Sequence, residues 1–238
     1  MSLLSVENLS VSIHGTEILR DVSLSVEAGQ IVGVIGESGS GKSMTALAVM
    51  QLLPDGAVAT GRVALGGHEM LTLEEGALCG LRGNEVGMVF QEPMTALNPI
   101  QTIGAQVAET VLIHENVSRG EAMERAREAL RRCELPEERF PLSRYPHELS
   151  GGQRQRVVIA MAIALQPKLL IADEPTTALD VTTQAEVLRL LKRLAREDGM
   201  GLLLITHDLA VVADMADEIV IMRKGEVVES GASPAIFE

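Results

Sequence analysis

Eight consecutive residues, Gly36-Glu37-Ser38-Gly39-Ser40-Gly41-Lys42-Ser43, fit the spacing G-x-x-x-x-G-K-[ST], and each residue type in that string has a task at a phosphate. The glycines let the backbone turn so that successive N–H groups point inward at a β-phosphate. Lys42 reaches the β and γ oxygens, and Ser43 offers a hydroxyl to Mg2+. A second string, Leu169-Leu170-Ile171-Ala172-Asp173-Glu174, runs apolar and ends in two carboxylates. Asp173 would hold Mg2+ directly or through water, because a hard cation bridging phosphates takes oxygen ligands. Glu174, one residue on, would orient or deprotonate an attacking water. Three more polar residues follow apolar runs: Gln91 after VGMVF, His207 after LLLIT, and Asp180 six residues past Glu174. They are expected to converge on one crevice at the carboxyl ends of the strands, Gln91 touching Mg2+ and the water, His207 holding the γ-phosphate. The chemistry these residues fit is phosphoryl transfer from a nucleotide to water.

The elements that must position them are legible as patterns of hydrophobicity. Ile31-Val32-Gly33-Val34-Ile35 is a continuous apolar run, as in a strand covered on both faces, and it leads through the glycine-rich turn into a predicted helix from Lys42 to Leu53. Similar runs at Val86 to Phe90, Leu169 to Ala172, Leu202 to Ile205 and Ile219 to Met222, interleaved with helical stretches, predict a parallel sheet in an α/β core. Between Leu4 and Val26 the period is two instead, which predicts an antiparallel β subdomain. From Thr102 to Arg132 the reading is helical: Ser118-Arg119-Gly120-Glu121 fits a capping box, and Met123, Ala126, Leu130 and Cys133 share one face. The expected division is an antiparallel subdomain over residues 1–30 and 58–68, a catalytic core over 31–57, 85–91 and 165–238, and an inserted helical subdomain over 92–164.

Composition narrows the function classes. Of the 238 residues, 20 are Lys or Arg and 33 are Asp or Glu, a formal charge of −13, which argues against a surface built for nucleic acid. The apolar stretch Val157 to Leu165 stops at Gln166-Pro167-Lys168, short of the roughly 20 residues that span a bilayer. The N-terminal residues lack the basic flank and apolar run of a secretory signal, so a cytosolic location is expected. Cys79 and Cys133 stand far apart without metal-binding spacing and read as structural thiols in a reducing compartment.

A further string, Leu149-Ser150-Gly151-Gly152-Gln153 followed by RQRVVIAMAIAL, is absent from plain phosphate-loop kinases and GTPases, and Ser150 stands 23 residues before Asp173. Ser150 is also suited to cap the helix that follows, whose N-terminus is a second anion site in a chain that already has one at Lys42. This string resembles the signature of ABC-type ATPases, and the resemblance runs over nearly the whole chain. It implies a P-loop NTPase (RecA-like) core with an antiparallel β subdomain and an inserted helical subdomain, ATP and Mg2+ as ligands, and a head-to-tail pair of ATPase domains. In such a pair Ser150, Gly151, Gly152 and Gln153 serve the nucleotide held by the other subunit's loop, and Ala178-Leu179-Asp180 is a further motif that the resemblance includes.

The segment Phe90-Gln91-Glu92-Pro93-Met94-Thr95-Ala96-Leu97-Asn98-Pro99, with Tyr145-Pro146-His147-Glu148, looks like that of the dipeptide, oligopeptide and nickel importers. That resemblance implies membrane-spanning permease subunits docking on the Glu92–Leu112 region, an identical or homologous second ATPase subunit, and a solute-binding protein acting through the permease. It also implies a peripheral position at the cytoplasmic face of the membrane. The competing reading, a soluble ABC ATPase acting on DNA or ribosomes, lacks the expected basic patches. Two departures stand out. The family stacks adenine on an aromatic residue where this chain has Ile13 and His14, so stacking is weaker or is supplied by one of these two, and modest discrimination between ATP and GTP is expected. The chain also ends near Phe237, as in a short member or one half of a tandem protein.

Overall fold

The computed structural model describes residues 2–91, 93–177 and 179–236. Glu92, Ala178 and Phe237, which the sequence reading placed in the docking segment, before Asp180 and among the few aromatics, lie outside the described residues.

Two sheets organise the chain. The first has four antiparallel strands in the order β2-β1-β4-β5, formed by β1 (Leu4–Ile13), β2 (Thr16–Val26), β4 (Ala57–Leu65) and β5 (His68–Glu69). The period-two pattern buries Val22, Leu24 and Val26 on one face of β2 and exposes Ser23 and Ser25 on the other. The second sheet has the order β10-β9-β3-β8-β7-β6. Its strands are β3 (Ile31–Ile35), β6 (Val86–Val89), β7 (Leu169–Asp173), β8 (Gly201–Thr206), β9 (Glu218–Arg223) and β10 (Glu226–Ala232). All pairings among β3 and β6 to β9 are parallel, and β10 adds an antiparallel edge. β3, β7 and β8 are buried along their whole length, which is why they read as unbroken apolar runs.

Helices α1 (Lys42–Val49), α2 (Glu75–Leu81), α3 (Pro93–Ala96), α4 (Ile103–His114), α5 (Arg119–Arg132), α6 (Gly151–Ile163), α7 (Val181–Asp198), α8 (Leu209–Met215) and α9 (Ser233–Ile236) complete the fold. Side chains of α4, α5, α6 and α7 share one core with Leu170, Ala172, Leu202 and Leu204 of the parallel sheet. The antiparallel sheet and α1 share a second core with the opposite face, including Val32, Val34, Leu169 and Ile171. The parallel sheet is thus sandwiched, and its carboxyl edge is the place where loops from both layers meet.

Three expectations from sequence are refined. The capping box at Ser118 and Glu121 is present, and the α5 face buries Ala122, Ala126, Ala129 and Leu130, with Cys133 buried just beyond it. The helix expected from Lys42 to Leu53 ends at Val49: Gln51 takes φ +53°, and Pro54 disfavours helical geometry at the residue before it. Cys79 corrects the reading of both cysteines as structural thiols. It is exposed on α2, with its thiol 3.5 Å from Glu75 Oε1, whereas burial pushes the Cys133 thiol up to about 12.

Candidate functional site

The glycine-rich loop is the connection from β3 to α1, and its shape is imposed by close packing. An added Cβ on Gly36 would overlap the Met222 carbonyl oxygen. Gly41 caps α1 at φ +103°, where an added Cβ would stand 2.5 Å from Leu19 Cδ2. The loop is braced from outside by Gly225 N–H, which donates to the Ser40 carbonyl at 2.9 Å. From inside, Lys42 Nζ donates to the carbonyls of Gly36 at 2.8 Å and Glu37 at 3.1 Å. The ammonium therefore lies inside the loop, and Glu37, Ser38 and Gly39 form its exposed crest.

Asp173, the last residue of β7, is buried beside this loop. Burial raises its carboxyl above the usual carboxylate range, and the neighbouring Glu174 adds to this, while a hydrogen bond from Ser43 and the charge of Lys42 pull the other way. Asp173 Oδ1 is buried with no hydrogen-bond partner, as is the Ser40 hydroxyl. A buried, unpaired carboxylate oxygen next to a serine hydroxyl is an all-oxygen donor pair that suits a hard divalent cation completed by phosphate oxygens. The residues present thus fit Mg2+.

Glu174 gathers the remaining polar groups. Its Oε2 accepts from Gln91 Nε2 at 3.2 Å and from the Thr177 hydroxyl at 3.1 Å, and lies 3.4 Å from His207 Nδ1. Its backbone sits at φ +45°, unusual for a residue with a side chain, and its N–H donates to the Ile205 carbonyl at 2.9 Å. β7 and β8 lie side by side in register, so Glu174 and His207 emerge from neighbouring strand ends, and Gln91 comes from the end of β6 on the other side. Asp208 fixes the start of α8 by accepting from Ala210 and Val211 N–H groups, which holds the adjoining His207 at the crevice. Ser43, Gln91 and Asp173 line one hollow of about 470 Å³ with Phe90, Thr95 and Ala96.

Asp180 does not join this group. It caps α7, with Oδ1 accepting from Thr183 N–H at 3.0 Å and Oδ2 from the Thr183 hydroxyl at 2.6 Å, and these bonds lower its carboxyl pKa. Ser150, Gly152 and Gln153 line a different cleft, about 560 Å³, that shares no residue with the hollow at Ser43. There Ser150 caps α6 through a reciprocal capping box with Gln153, leaving the first-turn N–H groups of Gly151 and Gly152 directed out of the helix end. Ile13 is half-buried at the last residue of β1, and His14 is exposed in the following turn at φ +48° over Gly56. Thr177 was not singled out from sequence. The signal available was a hydroxyl three residues past a strand-end carboxylate, a common local turn arrangement.

The pattern of the ABC transporter family matches residues 19–177. The chain is 50% identical to the peptidoglycan transport ATP-binding protein YejF of Agrobacterium fabrum over 99% of its own length and 44% of that protein. It is 48% identical to the glutathione import ATP-binding protein GsiA of Escherichia coli over 99% of its own length and 40% of that protein. The chain thus spans less than half the length of these curated relatives. Among solved structures, the ATP-binding cassette MJ0796, in a dimeric post-hydrolysis state bound to ADP and Pi, superposes with a TM-score of 0.82 at 31% identity, covering 97% of this chain and 98% of that one. The cassette cbiO1 of Clostridium perfringens, part of the transporter complex cbiONQ, superposes with a TM-score of 0.84 at 27% identity, covering 99% of this chain and 90% of that one. The antiparallel sheet, the sandwiched parallel core and the phosphate loop followed by a capped Leu149–Gln153 helix end therefore belong together for one reason: this chain is a member of the ABC transporter family.

Proposed function

We propose that the chain is the ATP-hydrolysing motor of an import complex, working as one half of a head-to-tail pair whose other member is an identical or homologous ATPase subunit. The observation that carries this reading is the meeting of Gln91, Thr177 and His207 on the Glu174 carboxylate, one residue past a buried Asp173 with an unpaired oxygen. The Leu149–Gln153 helix end lies in a separate cleft, where it is available to a partner's nucleotide.

In the proposed reaction the nucleotide's phosphates lie against the N–H groups of residues 36–43, and Lys42 Nζ exchanges the Gly36 and Glu37 carbonyls for phosphate oxygens. Ser43, Asp173 and Gln91 would hold Mg2+, which would supply charge neutralisation for the phosphates. Glu174 takes a proton from the attacking water as its oxygen bonds to the γ-phosphorus and the bond to the bridging oxygen breaks, giving ADP and phosphate. Gln91 orients the water, and His207 stabilises charge on the γ-phosphoryl oxygens. Ser150, Gly151, Gly152, Gln153 and Asp180 close on the partner's nucleotide, and loss of the γ-phosphate removes the contact that favours the closed pair.

The relatives named for glutathione and peptidoglycan transport support import of a peptide-like solute, with nickel-like solutes within the same class. The 93–112 segment, with Ile100 largely exposed, would receive a helix from permease subunits, and a solute-binding protein would act through those subunits. No described helix is long and apolar enough to cross a membrane, in keeping with a peripheral place at the cytoplasmic face.

The test is the mass of the Glu174→Gln protein by light scattering on a sizing column. MgATP should double the mass of this variant and leave Lys42→Ala unchanged, because the first keeps nucleotide binding while losing the proton acceptor and the second loses the cation facing the phosphates. A Glu174→Gln protein that binds MgATP yet stays monomeric, alone and when mixed with a candidate partner ATPase, contradicts the paired motor.

A further inference from the structure

The end of α5 carries a residue that its backbone does not favour. The Leu135 N–H donates to the Leu130 carbonyl at 2.9 Å and the Glu134 N–H to the Arg131 carbonyl at 3.0 Å. These bonds place Glu134 in the left-handed turn that closes a helix, at φ +62°. Glycine adopts that conformation without strain, and α7 uses Gly199 for it at the same φ. Gln51, at positive φ just past α1, keeps its amide local and donates to the Ala48 carbonyl at 2.6 Å. The Glu134 carboxylate instead reaches away from α5 altogether.

One of its oxygens pairs with Arg156 of α6, and the other lies 3.4 Å from Arg193 of α7, whose guanidinium also donates to the Arg132 carbonyl at 2.9 Å. Arg156 in turn donates to Glu186 of α7 at 2.8 Å. The Arg156 side chain is only 12% exposed, so its two pairs are better shielded than an ordinary surface ion pair. Carboxylates from α5 and α7 thus converge on one guanidinium of α6, whose planar fork fixes direction as well as distance.

The place of this clasp connects it to the chemistry. Arg156 follows Gly152 by four residues and Gln153 by three, on the same face of α6. Glu134, Arg156 and Glu186 line the cleft of about 560 Å³ that also holds Ser150, Gly152 and Gln153. One turn nearer the helix end α6 meets α7 directly, since an added Cβ on Gly152 would overlap the Thr183 methyl. The start of α6 is therefore fixed against α7 on one side and tied through Glu134 to the end of α5.

We propose that Glu134 is a positioning residue for hydrolysis in the partner's site. Through Arg156 it sets the direction in which the Ser150–Gln153 helix end is presented, and α5 accepts an unfavourable backbone conformation to hold it there. A misdirected end weakens a contact at the γ-phosphate of the other subunit's nucleotide and leaves the chain's own phosphate loop untouched. This inference rests on the paired-ATPase reading above.

The experiment compares wild type with Glu134→Gly, which frees the backbone and removes the carboxylate, and Glu134→Gln, which keeps the strain and removes only the charge. The glycine variant should melt within about two degrees of wild type, relief of strain offsetting the lost ion pairs. In nucleotide-free protein the 153–158 peptide should exchange its amide hydrogens about tenfold faster in both variants, while the 119–130 peptide of α5 stays within about twofold. Turnover at saturating MgATP should fall about fivefold or more, with nucleotide affinity within about twofold. Raising the salt from about 0.05 M to about 0.5 M should move wild-type exchange toward that of the variants and leave theirs unchanged. Unchanged exchange in the α6 peptide overturns the inference, as does unchanged turnover, or a loss of turnover that merely follows a lowered melting temperature. If wild type itself neither hydrolyses ATP nor pairs, the motor reading has failed; if it does both and the variants match it, only the role of Glu134 has.

Discussion

Asp173 carries a carboxylate that the fold makes uncomfortable, buried beside Glu174 with Oδ1 unpaired. Its folded-state pKa lies above the unfolded value, so the folded protein binds more protons in the interval between them. The charge therefore costs stability at neutral pH, and that cost disappears as pH falls through the folded-state value toward the unfolded one. Asp173→Asn should accordingly raise the melting temperature of the nucleotide-free protein at pH 7, by a margin that shrinks as the pH is lowered. The same substitution should abolish the stabilisation that Mg2+ adds to that given by ATP alone. A melting temperature below that of wild type at every pH would show that the carboxylate is a structural partner rather than a metal-holding group. If the nucleobase rests against Ile13 and His14, no Phe, Tyr or Trp ring is there to stack on it, so ATP and GTP should bind within about one order of magnitude of each other. Equilibrium titration with both nucleotides tests this, and a strong adenine preference would show that a polar contact, not stacking, reads the base.

At the level of elements, the chemistry depends on how tightly the β3–α1 loop is packed. Gly41 combines positive φ with an added-Cβ position pressed against Leu19, a residue of the antiparallel sheet. Gly41→Ala should therefore cost about 1–3 kcal/mol of backbone strain. Thermal melting should register this as a drop of several degrees, together with weakened nucleotide binding. An unchanged melting temperature would mean that the loop relaxes away from β2 without cost. The helices show how local chemistry makes an element legible before it is seen in three dimensions. The Ser118–Glu121 and Ser150–Gln153 capping boxes are both present, because cap and helix lie within four residues of one another. The end of α1 was less legible: Gln51 and Leu52 are compatible with helix, and the chain turns away where Leu53 must accommodate Pro54. Cys79 shows the converse limit, since nothing local to α2 distinguishes a half-wrapped helix from a buried one.

In the whole molecule, the phosphate-loop hollow and the Ser150 helix end stand in separate clefts, and on the proposed reading this separation makes a single chain incomplete. Ser150→Arg places a bulky cation at the helix end that would face a partner's γ-phosphate. It should leave ATP affinity within about twofold and lower turnover by roughly a hundredfold, the scale of losing a transition-state contact. Removing the Ser150 cap should itself cost only about 1 kcal/mol, a few degrees of melting temperature. Normal turnover in purified Ser150→Arg would contradict service in trans. The sequence by itself determined the phosphate loop, the paired carboxylates, the capped signature helix and the alternation of apolar runs that makes a parallel sheet. Each of these is specified by neighbours in the chain, through spacing, capping and period. The tertiary structure alone decided which polar residues share a site. Gln91, His207 and Thr177 meet Glu174, while Asp180 turns to α7, because strand order and register place β6, β7 and β8 side by side across long stretches of chain. Burial is likewise a property of the assembled layers, so the unpaired oxygen of Asp173 had no local signature in the sequence.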